Sequence, residues 1–212
     1  MTPRTLDTLL DFAALPPQTR YKLLSATVIP RPVAWVTTQS EAGVVNAAPY
    51  SFFNVFSEEP ALIVLGLQHR DGVPKDTTRN IHATGEFVVN IATPAALAEM
   101  VDSAAAYPPE ASETEALGLA TRPSLKVNPP RLAAAAVALE CRRHVALAFG
   151  PQRELMIGEV VAMAARPGLI DTETMRVDWA GDYPLARLFA DRYAKLEEIE
   201  PRSIPAPPEA IP

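Results

Sequence analysis

The segment IPRPVAWVTTQSEAGVVNAAPYS (residues 29–51) mixes apolar strand residues with many hydroxyl, amide and cationic side chains. Its Arg31-Pro32 pair predicts a stiff entry to a strand at residues 33–38, because the proline ring fixes φ and removes a hydrogen-bond donor. Residues 40–43 predict a turn, and residues 44–48 predict the returning strand of a hairpin. A hairpin that only filled a core would not need so many polar groups around one turn. The segment therefore predicts a β-fold and a site for a planar, phosphorylated ligand.

The rest of the chain continues the β pattern. The apolar run ALIVLGL (residues 61–67) is typical of a strand buried on both faces. Further strands are predicted at residues 87–91, 137–149 and 155–165, and residues 150–152 form a compact turn between the last two. Several strands at short spacing predict a mainly β protein, a barrel with several short peripheral helices.

Four short helices are predicted, at residues 77–84, 94–103, 112–117 and 185–198. Asp76 or Thr77 is a plausible N-cap of the first helix, and Gly85 ends it. Ser112 and Glu115 have the spacing of a capping box at the start of the third. The fourth has an amphipathic pattern.

Length and composition predict one domain. The chain has 212 residues, of which 48% are hydrophobic and 21% charged, and this length fills one core more readily than two. We expect an N-terminal extension at residues 1–20, the folded domain at residues 21–200 and a proline-rich tail at residues 201–212.

Charge and cysteine content exclude several classes of function. The net charge of −6 and the pI of about 5.1 disfavour a nucleic-acid partner, which needs a basic face. No apolar stretch approaches the roughly 20 residues of a membrane span, and the N-terminus lacks the layout of a signal peptide. The single Cys141, expected to be buried, excludes an internal disulfide and a cysteine-based metal cluster. These features predict a cytoplasmic protein without a membrane partner.

No catalytic side-chain constellation is recognisable in the sequence. His69, His82 and His144 are too scattered for a metal triad, so no metal site is predicted. The chain also lacks GxSxG, GxGxxG and GxxxxGK[ST] motifs. A separate dinucleotide-binding domain is therefore not expected.

The triplet Lys75-Asp76-Thr77 is the strongest candidate for an anion site. A lysine before a capped helix brings together a cation, free backbone N–H groups and the positive end of the helix dipole, which together suit a phosphate. Thr77 adds a hydroxyl donor. The same triplet also fits a surface lysine before an ordinary helix, so the triplet alone leaves both interpretations open.

The stretch NAAPYSFFN (residues 46–54) suits a flat ring, because small residues such as Ala48 let the backbone approach it closely. Asn46, Tyr50 and Ser51 are favoured as ligand contacts. At least one of the phenylalanines that follow is expected in the core. Thr37 and Thr38 point to opposite faces of a strand, so only one of them can face a given ligand.

Six motifs together resemble the flavin reductase-like proteins of the FMN-binding split barrel class. They are YKLL (residues 21–24), IPRPVAWVTT (29–38), NAAPYSFFN (46–54), KDTTRNI (75–81), GEFVVNI (85–91) and IGEVV (157–161). The resemblance implies a Greek-key split barrel that works as a homodimer, with FMN near the subunit interface. It is nearest to the branch that contains flavoredoxins and the reductase components of two-component monooxygenases.

The resemblance implies an FMN-binding oxidoreductase, an NAD(P)H-dependent flavin reductase that passes electrons to an acceptor or a partner monooxygenase. The flavin would carry the chemistry, so no catalytic side chain is expected. The alternatives are a non-catalytic FMN electron-transfer protein and a barrel that has lost its flavin. The expected cofactor-binding residues are Arg31, Thr37, Thr38, Asn46, Ala48, Pro49, Tyr50, Ser51, Lys75, Asp76, Thr77 and Asn80.

One segment departs from the family pattern. Relatives commonly carry RLGG followed by a tyrosine, whereas this chain has RLFADRY at residues 187–193. Phe189 and Ala190 replace two glycines and add bulk. We expect them to narrow the cleft for the nicotinamide donor, whereas FMN binding is less affected.

Overall fold

The computed structural model describes residues 7–108 and 110–205. In chain order the helices are α1 (Pro17–Thr27), α2 (Asp76–Thr84), α3 (Leu97–Asp102) and α4 (Glu113–Ala116), and a 3₁₀ turn (Pro94–Ala96) precedes α3. The strands are β1 (Arg31–Pro32), β2 (Ala34–Gln39), β3 (Val45–Tyr50), β4 (Phe53–Glu58), β5 (Ala61–Gln68), β6 (Glu86–Ile91), β7 (Thr121–Arg122), β8 (Arg131–Leu132), β9 (Val137–Ala148), β10 (Arg153–Ala165), β11 (Ile170–Asp171), β12 (Arg176–Val177), β13 (Ala186–Arg187) and β14 (Tyr193–Ala194).

Seven strands form one antiparallel sheet in the order β3-β2-β6-β9-β10-β5-β4. The strands at its two ends, β3 and β4, are joined by only Ser51 and Phe52. Because this connection can span at most about 10 Å from Tyr50 to Phe53, the sheet must curl until its two end strands come close together. The backbone N–H of Gly66 on β5 donates to the carbonyl of Phe52 at 2.6 Å, which fixes this junction. The fold is therefore a β-barrel with short peripheral helices.

The main core fills the inside of this sheet. Its buried residues come from β2, β5, β6, β9 and β10, with Ile81 from α2 and Leu169 from the segment after β10, and Cys141 is one of them. Phe87 is fully buried against Gly158, where an added Cβ would stand 2.3 Å from the phenyl ring. Glycine is therefore required at position 158 because the ring occupies the space of a side chain. A second cluster around Trp35 packs the helical side of the barrel, and the Trp35 indole N–H donates to Ser103 Oγ at 2.9 Å.

Several predicted elements are confirmed. β2 and β3 form the predicted hairpin around the turn at residues 40–43. β5 is the predicted buried strand, and β9 and β10 form the predicted long pair. Gly85 ends α2 with φ of 73°, a left-handed conformation that glycine adopts without a Cβ clash. The Ser112 hydroxyl accepts from the Glu115 N–H, so the predicted cap of α4 is also confirmed.

The predicted helix at residues 185–198 is wrong. The segment forms a hairpin in which β13 pairs with β1 on one side and with β14 on the other. Ala190 has φ of 51°, which a right-handed helix does not allow, and Leu188 N–H donates to Arg192 O across the turn. The amphipathic pattern arises instead because Leu185 and Tyr193 both pack on the second core cluster.

The N-cap prediction for α2 is also wrong. Lys75 is the N-cap residue, and the helix begins at Asp76. The Asp76 carboxylate pairs with Arg79 one turn later instead of capping the helix. The sequence patterns also miss α1, which buries only Ser25, the exposed strand β4, and the two-residue strands β7, β8, β11 and β12.

No helix in the described part of the chain is long and apolar enough to cross a membrane. Residues 206–212 of the predicted tail lie outside the described residues. The helix α1 crosses the predicted domain boundary at residue 20, and that boundary stays a prediction.

Candidate functional site

A groove runs along the end of β3 and the start of α2. It consists of a first cavity of about 500 Å³ and a second cavity of about 250 Å³. Pro49, Tyr50, Lys75 and Ala104 line both cavities, so the two are continuous. One side of the groove thus comes from the NAAPYS segment, and the other from the KDT segment and the loop after α3.

Eight of the twelve expected site residues line this groove: Asn46, Ala48, Pro49, Tyr50, Ser51, Lys75, Asp76 and Thr77. The hairpin β2-β3 and the N-terminus of α2 therefore bring together residues that are almost 30 positions apart in the sequence. Lys75 and Ser51 both line the second cavity, on the same side of the molecule.

Lys75 lies where the two cavities meet, directly before the first turn of α2. Burial lowers its pKa, and the positive charges of Arg70 and Arg153 lower it further. Lys75 therefore lies close enough to both arginines to be repelled by them. A bound anion would relieve this repulsion, and the positive end of the helix dipole would add to the attraction.

Arg153 is a site residue that the sequence motifs do not reveal. It lies on β10, and its guanidinium is 5.4 Å from the centre of the Tyr21 ring and 5.5 Å from that of Phe52. It makes no ion pair within residues 7–108 and 110–205. No carboxylate in that part of the chain lines the second cavity either, although the whole protein is acidic.

Tyr50 forms part of the wall shared by both cavities. The pKa of Tyr50 is raised to about 12, mainly by burial. The charges of Asp76 and Glu113 also raise this pKa, whereas a hydrogen bond with Thr77 lowers it. Its phenol therefore stays protonated at neutral pH and offers an O–H group.

A buried network of polar side chains lies behind the first cavity. Asn46 Oδ1 accepts from Thr77 Oγ1 at 2.7 Å and from Thr38 Oγ1 at 3.4 Å, and Thr38 Oγ1 accepts from Asn80 Nδ2 at 3.0 Å. Thr38 and Asn80 do not line the groove. They hold β2, β3 and α2 together and so support the residues that do.

Glu113 closes this network and also escapes the sequence patterns. Its carboxylate accepts from Asn46 Nδ2 at 2.8 Å and from the Ala47 N–H at 3.1 Å, and only 4% of the residue is exposed. Burial raises the pKa of Glu113. Hydrogen bonds from its own backbone, from Ala47 and from Asn46 act in the opposite direction and lower this pKa. Glu113 lies at the start of a short helix after a proline-rich loop. No motif in this part of the sequence could identify it as a site residue.

Two expected site residues have other partners. Thr37 Oγ1 donates to Pro130 O at 2.6 Å and accepts from Asn90 Nδ2 at 3.1 Å, away from the groove. Arg31 donates to the carbonyls of Ser25, Val28 and Leu188, and its Nε donates to Ser51 Oγ at 3.3 Å. Its guanidinium thus ties α1 and the β13–β14 hairpin to Ser51.

A third cavity of about 550 Å³ adjoins the groove through Tyr21, Ser51 and Arg187. Phe189 and Ala190 line this cavity, together with one face of α1. Arg187 holds their turn by donating to the Ala190 carbonyl and to the Tyr193 hydroxyl. The two residues that replace the family glycines therefore lie beside the groove and not in it.

A carboxylate–histidine cluster supports the loop that carries Lys75. Glu154 is buried and lies 2.8 Å from His82 Nε2 and 3.7 Å from His69 Nε2. His69 Nδ1 also contacts the Pro151 carbonyl at 3.1 Å. Sequence spacing could not show that Glu154 lies between two histidines. Among the described residues, no group of three or more His, Cys, Asp or Glu side chains could hold a metal ion.

Replacing Glu154 with alanine is expected to lower the free energy of unfolding by about 1 kcal/mol, because it removes the acceptor 2.8 Å from His82 Nε2 and the carboxylate nearest to the buried His69 Nε2. Urea denaturation followed by circular dichroism measures the change, with exposed Glu58→Ala on β4 as the control. Equal losses in the two variants would contradict a supporting role for the cluster.

The groove therefore combines a helix N-terminus, a wall of small and aromatic residues, and five cationic side chains, with the carboxylates confined to the first cavity: the cations are Arg70, Lys75, Arg79, Arg153 and Arg187. Such a site suits a ligand with an anionic group at one end and a flat ring at the other.

Comparison with known proteins agrees with this description. The model of the flavin reductase like domain matches residues 25–187. The 2-nitrobenzoate 2-nitroreductase NbaA of Pseudomonas fluorescens has 35% identity and a TM-score of 0.85, with 93% of this chain and 96% of that chain covered. Nitrilotriacetate monooxygenase component B of Bacillus cereus has 35% identity and a TM-score of 0.87, with 92% and 98% covered.

A protein with a split barrel domain from Shewanella frigidimarina has a TM-score of 0.78 over 91% of this chain and 95% of that chain. At 18% identity this likeness shows the fold alone. The predicted split barrel is confirmed, and the chain belongs to the flavin reductase-like domain family.

Proposed function

We propose that the protein is an FMN-binding oxidoreductase that takes electrons from NADH or NADPH and delivers them to an acceptor or a partner protein. Family membership supports flavin binding and redox activity. The observation that carries the proposal is the convergence of Lys75, Arg70 and Arg153 at the N-terminus of α2. A lysine beside a helix N-terminus, with two arginines close enough to lower its pKa, fits the phosphate of a mononucleotide.

The residues present fit FMN. Lys75, Arg153 and the first backbone N–H groups of α2 would hold the phosphate. Ala48, Pro49 and Ala104 offer small or flat surface for the isoalloxazine ring, and Asn46 offers polar contact from β3. Bound FMN supplies the redox chemistry, so the protein needs only to bind it, orient it and leave one face accessible. This agrees with a groove that contains no recognisable acid–base or nucleophile pair.

Thr37, Thr38, Asn80 and Arg31 have indirect roles in this proposal. Their polar groups are occupied by protein partners, and they hold the strands and helices that form the groove. The third cavity would admit the nicotinamide donor beside the ring, next to Phe189. We also propose a cytoplasmic location.

Exposed apolar side chains support a homodimer. Val55 and Phe56 on the edge strand β4 are 73% and 65% exposed, and Leu24 on α1 and its C-cap residue Val28 are 48% and 62% exposed. A second copy of the chain would cover these residues, which border the groove through Phe52 and Tyr21.

The activity is tested by anaerobic mixing of the FMN-loaded protein with NADH and, separately, with NADPH. We expect at least one nucleotide to bleach the visible absorption band of the flavin. A yellow protein that neither nucleotide bleaches would contradict the reductase and favour an electron-transfer protein that works with a partner. A protein that retains no flavin would contradict both.

A further inference from the structure

In the buried network at the first cavity, the side chain of Glu113 determines which end of the Asn46 amide donates and which end accepts. An ionised carboxylate can only accept, so Glu113 requires the NH₂ end of the Asn46 amide to face it. The Asn46 oxygen then points the other way and accepts from Thr77 and Thr38. The orientation of the Asn46 amide therefore depends on a residue 67 positions away.

This arrangement leaves one polar group of Asn46 for a ligand. Its oxygen has two donors, and one of its two N–H groups is bonded to Glu113. The second N–H has no partner within residues 7–108 and 110–205, and Asn46 lines the first cavity. Both side chains are more than nine-tenths buried, so water does not easily replace a missing partner. Asn46 can therefore act towards a ligand only as a donor.

We propose that Glu113 is a positioning residue that fixes Asn46 as a hydrogen-bond donor to the bound flavin. The proposal rests on the proposed function, because it assumes that the flavin occupies the groove. Glu113 also lines the first cavity, but in this role it does not bind the flavin directly. It acts through Asn46, and through the Ala47 N–H it also holds β3 against α4. An acceptor atom of the flavin, either a carbonyl or a phosphate oxygen, must therefore face Asn46.

A double variant separates this role from a merely structural one. Combining Asn46→Asp with Glu113→Gln keeps the net charge and keeps every internal hydrogen bond possible. The glutamine NH₂ would donate to the aspartate, the glutamine oxygen would accept from the Ala47 N–H, and the second aspartate oxygen would accept from Thr77. At position 46 the group that faces the groove changes from an N–H donor to a carboxylate acceptor, and the single variant Glu113→Gln reports the change at position 113, which also lines the first cavity.

The experiment compares the wild type, Asn46→Asp, Glu113→Gln, the double variant and Glu115→Gln. Glu115 is an exposed carboxylate on the same short helix, so its variant controls for the loss of one charge. Unfolding in urea gives the stability of each protein. Titration with FMN and with riboflavin at pH 8, followed by flavin fluorescence, gives the affinities. Riboflavin has no phosphate, so its affinity reports the hydrogen bond without charge repulsion from that group.

We expect Asn46→Asp to lose stability, because it places two carboxylates side by side. The double variant should regain most of that stability, yet bind FMN and riboflavin at least about tenfold more weakly than the wild type. Glu113→Gln should also weaken binding, and Glu115→Gln should match the wild type.

Recovery of both stability and wild-type flavin affinity in the double variant would overturn the positioning role and leave the proposed function intact. A wild-type protein that binds neither flavin would overturn both.

Discussion

Lys75→Ala is expected to weaken FMN binding by about 1.5–3 kcal/mol, or roughly 10- to 150-fold in Kd. The lysine lies where the two cavities meet and is the cap residue of α2, so its charge and the helix N–H groups act on the same anion. Arg70 and Arg153 remain in the variant and keep part of the attraction. Fluorescence titration of the apoprotein with FMN measures the loss.

The matched control is Lys126→Ala, which removes an exposed lysine outside the groove. It should leave the Kd unchanged. Unfolding in urea should give similar stabilities for both variants, because Lys75 has no ion-pair partner among the described residues. An unchanged Kd for Lys75→Ala would remove this residue from the site.

Arg31→Ala is expected to lower the free energy of unfolding by about 3 kcal/mol. The side chain is 9% exposed and donates to three carbonyls and one hydroxyl, which come from α1, the β13–β14 hairpin and Ser51. Its removal leaves these acceptors without a donor and loosens the wall between the second and third cavities. Urea denaturation followed by circular dichroism measures the change.

Arg31→Lys should recover little of the lost stability, because an ammonium group cannot reproduce the planar fork of a guanidinium. Arg122→Ala, at an exposed arginine on β7, is the control. Ordinary surface substitutions change the free energy of unfolding by less than about 0.5 kcal/mol. A change that small for Arg31→Ala would contradict the role of Arg31 in holding α1, the β13–β14 hairpin and Ser51 together.

The parts of the fold that were predictable depend on local chain properties. The β2–β3 hairpin has apolar strands separated by polar turn residues, and β5 is a continuous apolar run. The segments that line the groove were also predictable, because polar residues are dense beside apolar strands there, although Arg31, Thr37 and Thr38 in these segments bond to protein groups instead. Their meeting at Lys75 needs only the hairpin and the start of α2.

The parts that were not predictable depend on distant partners. The segment at residues 185–198 has a helical pattern, but its pairing with β1, more than 150 residues earlier, decides its conformation. Arg153 and Glu113 carry no motif, and only the folded chain brings them to Lys75 and Asn46. Thr37 is the opposite case, a residue that carries a motif but does not line the groove. Its place in a family motif predicted a contact with the ligand, but its hydroxyl donates to the Pro130 carbonyl instead.

The most direct test of the central claim is a comparison of FMN with riboflavin in titrations of the apoprotein. The two ligands share the ring and differ in the phosphate, so the ratio of their Kd values isolates the anion site. We predict that FMN binds the wild type at least about tenfold more tightly and that the ratio falls towards one in Lys75→Ala. Equal affinities of the wild type for the two flavins, or no binding of either, would contradict the proposed site.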